Sequence, residues 1–182
     1  MAAASTAAVP TFLSIEQYLN TTYRPDVDYV DGHIEERNLG DTDHGKIQKR
    51  LLILLSLREE EWGVEALPET RVQVSPTRFR VPDVCVVRGG DADESTVTSA
   101  PLLCLEVLSP GQALAAVRER AQDFFNMGVS EIWVFDPPSQ TAYVCLPDSV
   151  TEYKDGTLRL GGTPIELSLA EVFKALKRRS DE

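Results

Sequence analysis

The run Leu102-Leu-Cys-Leu-Glu-Val-Leu108 constrains this chain more than any other stretch. It is too short and too continuously apolar to alternate between a wet and a dry face, so it reads as a strand covered on both sides, at the centre of a sheet flanked by helices. A single acid, Glu106, interrupts it.

Local signals place the other elements around that strand. Ser14-Ile-Glu-Gln17 reads as a capping box opening a short helix through Leu19, broken by Tyr23-Arg-Pro25. Asp28-Tyr-Val30 and His33-Ile-Glu35 flank Asp31-Gly32, a dipeptide suited to a type I′ hairpin turn. From about Asp43 to Trp62, apolar Ile47, Leu51, Leu54, Leu55 and Trp62 recur at helical spacing, with Gly63 as the stop, which predicts one long helix. Short strands are expected at Val64 to Leu67, Arg71 to Val74 and Phe79 to Val81, then at Asp83 to Val87, with a loop from Gly89 to Ser99. Ala113 to Met127 is helical and stops at Gly128 before the strand Ile132 to Phe135. The tail adds a strand at Ala142 to Leu146, a hairpin around Asp155-Gly156, and a helix opened by a second capping box, Ser168-Leu-Ala-Glu171. This order predicts an α/β chain with a mixed sheet flanked by helices and a small C-terminal β-plus-helix extension. With 42 % hydrophobic residues among 182, the chain can bury an ordinary core. One domain is expected over residues 13–182, after a disordered leader of small residues at 1–12.

Composition excludes several classes. The longest apolar runs fall far short of the roughly 20 residues that cross a bilayer, so no membrane association is expected. Cys85, Cys104 and Cys145 are odd in number and set in apolar runs, which points to reduced thiols and a cytoplasmic location rather than a disulfide framework. His33 and His44 are the only histidines and no Cys-x-x-Cys accompanies them, so a structural zinc is not expected. No phosphate-binding glycine loop, nucleophile elbow or helix-turn-helix signature is present. The formal net charge of −11 opposes generic nucleic-acid binding, although a local basic face and a bound cation act within a Debye length of about 8–10 Å. Lys46, Lys49 and Arg50, with Arg71, Arg78 and Arg80, form that local basic density, as a phosphate track or as the polar face of an amphipathic helix. Trp62 and Trp133 are expected to pack rather than to stack on bases.

Asp83 opens one expected strand and Glu106 lies late in the next, so pairing of neighbours brings both carboxylates to one region of the sheet. Two acids there, with the Val107 carbonyl as a further oxygen, suit a hard divalent cation, Mg²⁺ or Mn²⁺. The alternative is that Asp83 only begins a strand after Pro82 and Glu106 sits at a wet strand end.

Val81-Pro-Asp-Val84, Pro101-Leu-Leu-Cys-Leu-Glu-Val-Leu-Ser-Pro110 and Gly128-Val-Ser-Glu-Ile-Trp-Val-Phe-Asp-Pro137 together resemble the bacterial Uma-type restriction endonuclease family. Asp28-Tyr-Val-Asp-Gly32 and His44 fit its upstream part, so the resemblance spans roughly Ser14 to Leu146. It implies a restriction-endonuclease-like PD-(D/E)XK core and metal-dependent hydrolysis of DNA. Asp83 then matches the PD acid and Glu106 the second acid. Leu108 stands where the motif's lysine would be, Arg120 matches the lysine that the following helix commonly supplies in this family, and Ala116 replaces an acid one turn earlier. Arginine stays charged and cannot act as a general base, so Arg120 would contact phosphate, unless it is a solvated helix residue near Glu119. His44 matches the family's histidine, to orient water or phosphate, or else belongs to the polar start of a helix. Asp28 matches a position usually held by glutamate and would reach the cation directly or through water, or else is a plain strand residue. Cutting two strands needs two sites, so a homodimer is expected. The departures at Leu108, Ala116 and Arg120 leave open a catalytically degenerate binding module with the same fold.

Overall fold

Helical spacing and turn chemistry set most of the elements in this computed structural model, which describes residues 12–90 and 95–176. In chain order they are α1 (Ile15–Leu19), β1 (Asp28–Val30), β2 (His33–Glu35), α2 (Thr42–Ser56), α3 (Glu59–Trp62), β3 (Val64–Pro68), β4 (Val72–Ser75), β5 (Arg78–Arg80) and β6 (Val84–Arg88). There follow β7 (Leu103–Val107), α4 (Leu114–Met127), β8 (Ile132–Asp136), β9 (Thr141–Cys145), β10 (Val150–Tyr153), β11 (Thr157–Arg159), β12 (Glu166–Ser168) and α5 (Leu169–Phe173). The expected leader lies outside the described residues except for Phe12, as does part of the expected loop after Gly90.

The strands form three sheets. A six-stranded sheet has the order β10-β9-β8-β7-β6-β3, a four-stranded sheet the order β2-β1-β5-β4, and β11 pairs with β12. Within the six-stranded sheet β7 and β8 are parallel, joined through α4, and every other pair is antiparallel, which makes the sheet mixed. Pro82 explains why the chain changes sheets between β5 and β6: without an N–H it cannot continue a ladder.

Both faces of the six-stranded sheet are covered, as the apolar run at β7 requires. Leu103, Leu105 and Val107 pack with Val84, Val86 and Trp133 against Ile47, Leu51 and Leu55 of α2 and against α5. Cys85, Val87, Cys104 and Val134 pack on the other face with Val117, Ala121 and Phe124 of α4. The two periods, 2 along each strand and 3.6 along each helix, thus meet in one layered core. The smaller sheet has its own cluster, Tyr18, Val27, Tyr29 and Phe79. Its β1–β2 turn follows the expected chemistry, with Asp31 at φ 49° and Gly32 at φ 94°. A side chain at Gly32 would also collide with the Phe12 ring.

Three local expectations fail. The single long helix is two, because α2 ends at Ser56 and Glu59 accepts a hydrogen bond from the Ala66 N–H (2.8 Å), holding α3 against β3. No hairpin forms around Asp155-Gly156, since β10 pairs with β9 and β11 with β12. Ser168 starts α5 without a side-chain cap bond, and Glu171 binds Arg50 instead. Arg71, Arg78 and Arg80 are no phosphate track either. Arg71 binds Asp26 and lies 4.3 Å over the Tyr18 ring, while Arg78 and Arg80 are tied to Asp31, Asp123, Asp28 and Glu35.

Leu105 is fully buried at the centre of the sheet, so Leu105→Ala is expected to lower stability by about 3 kcal/mol. Ile53→Ala, on the exposed side of α2, should stay within about 0.5 kcal/mol of wild type. Urea unfolding monitored by circular dichroism checks both, and equal losses would contradict this placement of the core.

Candidate functional site

The antiparallel register of β6 and β7, with Val84 opposite Leu105, carries one step further to set Asp83 beside Glu106. Directly opposed residues share a face of the sheet. Both acids line a small cavity of about 20 Å³, together with Arg37, His44, Val107 and Arg120 and the polar side chains of Ser109 and Gln112. That is room for about one water or one ion. A larger groove of about 340 Å³ runs past Lys46, Lys49, Arg50 and Ile53 on the outer side of α2. Neither Asp83 nor Glu106 lines it, so the smaller cavity is the one with chemistry.

Asp83 is held at every polar atom of its side chain. Its Oδ1 accepts from Arg37 Nη2 at 2.5 Å, and its Oδ2 from the Val107 N–H at 2.7 Å and from His44 Nε2 at 3.2 Å. Gln48 donates to its backbone carbonyl at 3.1 Å. α2 delivers His44 and Gln48 because Asp41 caps its start, accepting from the N–H groups of Asp43 and His44. Burial works against the Asp83 charge, but the His44 hydrogen bond, the charges of Arg37 and His44 and the Val107 N–H hold its carboxyl below the usual range. His44 responds in kind: burial disfavours its cation, and the hydrogen bond to Asp83 and the charges of Asp83 and Glu106 together outweigh this and raise its pKa.

Glu106 is compensated far less. Its nearest cationic atom is Arg120 Nη1 at 3.5 Å. Burial dominates, opposed by Arg120 and reinforced by the Asp83 charge, and pushes the carboxyl up to about 7. Arg120 is no solvated helix residue. Its Nε donates to Asp28 Oδ2 at 2.8 Å, and burial is more than offset by Glu106 and Asp28, which raise its pKa.

The structure therefore brings Asp83, Glu106, Val107, His44 and Arg120 together and leaves Asp28 one layer behind. Asp28 is 2 % exposed, and its carboxylate takes the Val81 N–H, Arg80 and Arg120. It reaches the cavity only through Arg120. Sequence reasoning missed Arg37, whose one signal was a cation in the acidic stretch Glu35-Glu36-Arg37 before α2. It also gave no role to Ser109, quoted only within the stretch that carries the resemblance, or to Gln112 just before α4.

The sign of the pH dependence follows from these shifts. Glu106 binds its proton more tightly folded than unfolded, so its contribution is favourable below the ordinary value of 4.5 and is lost as pH rises towards 7. His44, also raised, acts in the same direction as pH climbs past 6.5. Asp83, lowered, loses its contribution only as pH falls below 3.8. Between pH 5 and 8, metal-free Glu106→Gln should thus gain on wild type by on the order of 2 kcal/mol. Urea midpoints at fixed ionic strength measure this, and parallel profiles for the two proteins would refute the strained state of Glu106.

Residues 10–175 match the model of the Uma2 family, described as "Putative restriction endonuclease". No curated protein sequence matches the chain. Among solved structures, it is similar to that of a putative nuclease belonging to DUF820 from Anabaena variabilis ATCC 29413. The two share 21 % identity and a TM-score of 0.77, over 91 % of this chain and 99 % of that one. The likeness shows a shared mixed α/β fold. With the family model spanning nearly the whole of the described structure, the chain belongs to the Uma2 family.

Proposed function

We propose that this chain is a metal-dependent DNA endonuclease of the PD-(D/E)XK type, cleaving phosphodiester bonds slowly. The observation that carries the reading is the juxtaposition of Asp83, just before β6, with Glu106 on β7, side by side and lining one ion-sized cavity with His44 and Arg120. The element order supports it: α2, then the antiparallel β3, β6 and β7, then α4 leading to β8 parallel with β7.

The donor set fits Mg²⁺ or Mn²⁺. Among the described residues no three His, Cys, Asp or Glu side chains are grouped as a metal cage, and these hard cations commonly take only one or two carboxylates, with water and substrate phosphate completing the shell. Glu106, a buried acid whose carboxyl is pushed up to about 7, is the kind of group that a cation would restore to its charged form. On this reading Asp83 and Glu106 hold the ion and the Val107 carbonyl adds an oxygen. A bound ion would activate water and neutralise charge developing on phosphate. Arg120, fixed by Asp28, offers a permanent positive charge to the phosphate, and His44, fixed by Asp83, orients water or phosphate. Arg120 does not release a proton at working pH and no lysine among the described residues lines the cavity, which is why turnover is expected to be slow. The same reading makes the protein a homodimer, one site for each DNA strand. It also places it in the cytoplasm, in keeping with three buried free thiols.

A second reading, a degenerate nuclease fold used as a binding module, is favoured by one observation: Arg37 occupies Asp83 where a cation would sit. One set of measurements separates the two. Mn²⁺-dependent cleavage of plasmid, linear and single-stranded DNA should exceed that of the Asp83→Ala, Glu106→Ala double variant at least about tenfold, since metal and charge stabilisation are both lost. Mn²⁺ binding without cleavage above the variant would favour the binding module, and neither binding nor cleavage would remove the metal from both.

A further inference from the structure

The two oxygens of Asp83 are not equivalent. Oδ2 is fixed by a backbone N–H, that of Val107, and by His44 on the first turn of α2, groups that belong to the framework. Oδ1 has one partner among the described residues, Arg37 Nη2, on a long side chain in the segment between β2 and α2. The Arg37 side chain is 9 % exposed, so its charge is carried inside the protein by Asp83. It also has a second acid in reach. Its other terminal nitrogen, Nη1, is 3.7 Å from Glu69 Oε1, and the Glu69 side chain is 48 % exposed. Glu69 sits at φ 42° just after β3, and its N–H donates to the Asp83 carbonyl at 3.2 Å, which fixes that acid close to the site.

From this arrangement we infer that Arg37 is an internal counter-ion that competes with the divalent cation for Asp83 and transfers to Glu69 when the cation enters. This rests on the metal reading above and adds a control to it. A cation approaching Asp83 has to displace a positive charge, and only Arg37 can leave without breaking the framework. The guanidinium loses one carboxylate and keeps the other, so it need not be left buried and unpaired, which is the expensive outcome. Moved towards the half-exposed Glu69, it becomes a second positive charge, with Arg120, available to a phosphate.

The test is Mn²⁺ binding to the full chain, by calorimetry and by the electron paramagnetic resonance of free Mn²⁺, with folding checked by circular dichroism. Arg37→Gln should bind Mn²⁺ about tenfold more tightly than wild type, the competing charge having gone. Glu69→Gln should weaken binding about threefold when Arg37 is present and leave it unchanged in the Arg37→Gln background, because the acid acts as the landing place for Arg37. Unchanged or weaker binding by a folded Arg37→Gln protein overturns the inference, as does a Glu69→Gln effect of equal size in both backgrounds. Should Arg37→Gln not fold, Glu69→Gln alone decides: weakened binding upholds the exchange and unchanged binding overturns it. The metal reading fails separately, when neither wild type nor Arg37→Gln binds Mn²⁺. Equal binding by the two leaves that reading standing and removes only the exchange.

Discussion

Asp28 is the joint on which the rest of the molecule turns. Its carboxylate belongs to the four-stranded sheet, yet it binds the Val81 N–H, where the chain leaves that sheet, and Arg120 on the helix that covers the other one. Arg80 extends the joint, reaching from Asp28 to Asp123, one turn beyond Arg120 on α4. Buried ions of this kind are weak evidence for stability, because desolvation offsets much of their attraction, but they tolerate few geometries. Charge therefore joins the two sheets alongside apolar packing. Val72 and Val74 of β4 share one cluster with Cys85, Cys104 and the buried face of α4, while Tyr18, Val27, Tyr29 and Phe79 form a cluster of their own on the smaller sheet.

The same joint sets up the contrast between the two acids in the cavity. Asp28 holds Arg120 firmly, so Arg120 reaches Glu106 only at 3.5 Å, while Asp83 collects an arginine, a histidine and a backbone N–H. Identical chemistry thus has opposite character a few atoms apart, one carboxylate settled and the other strained by its surroundings. A cavity built only for packing would have no use for that strain, and an aliphatic residue at position 106 would continue the β7 run and remove it.

The sequence made the central strand, the two flanking helices and the meeting of Asp83 with Glu106 legible, since each follows from a short-range pattern: an unbroken apolar run, a 3.6-residue spacing, a neighbouring strand pair. Pairing across longer distances was less legible. Asp155-Gly156 has good turn chemistry, but turn chemistry does not choose partners, and β10 found a better one in β9. The expected mixed sheet lost β1, β2, β4 and β5 to a second sheet, with Pro82, which cannot carry a ladder onward, at the crossing, while β11 and β12 paired apart. The arginines were the least visible. Arg37 lies 46 residues from Asp83, and Arg120 lies 92 from Asp28, and side chains of that length are placed by where the carboxylates end up rather than by their own neighbours. The family resemblance supplied Arg120 where periodicity suggested only a helix face, and it supplied nothing for Arg37.

The packing of β11, β12 and α5 has a consequence for how the chain is made. Leu158, Leu160, Ile165, Leu167, Val172 and Phe173 belong to the same cluster as Trp133 and Phe135 of β8 and the core positions of α2. During synthesis, every strand of the large sheet has left the ribosome before the residues that finish covering one of its faces. For that interval Trp133 and Phe135 lie on an incompletely shielded surface, the state in which nascent chains are most open to aggregation and to chaperone capture. This later segment thus acts as a closing plate over that face of the sheet.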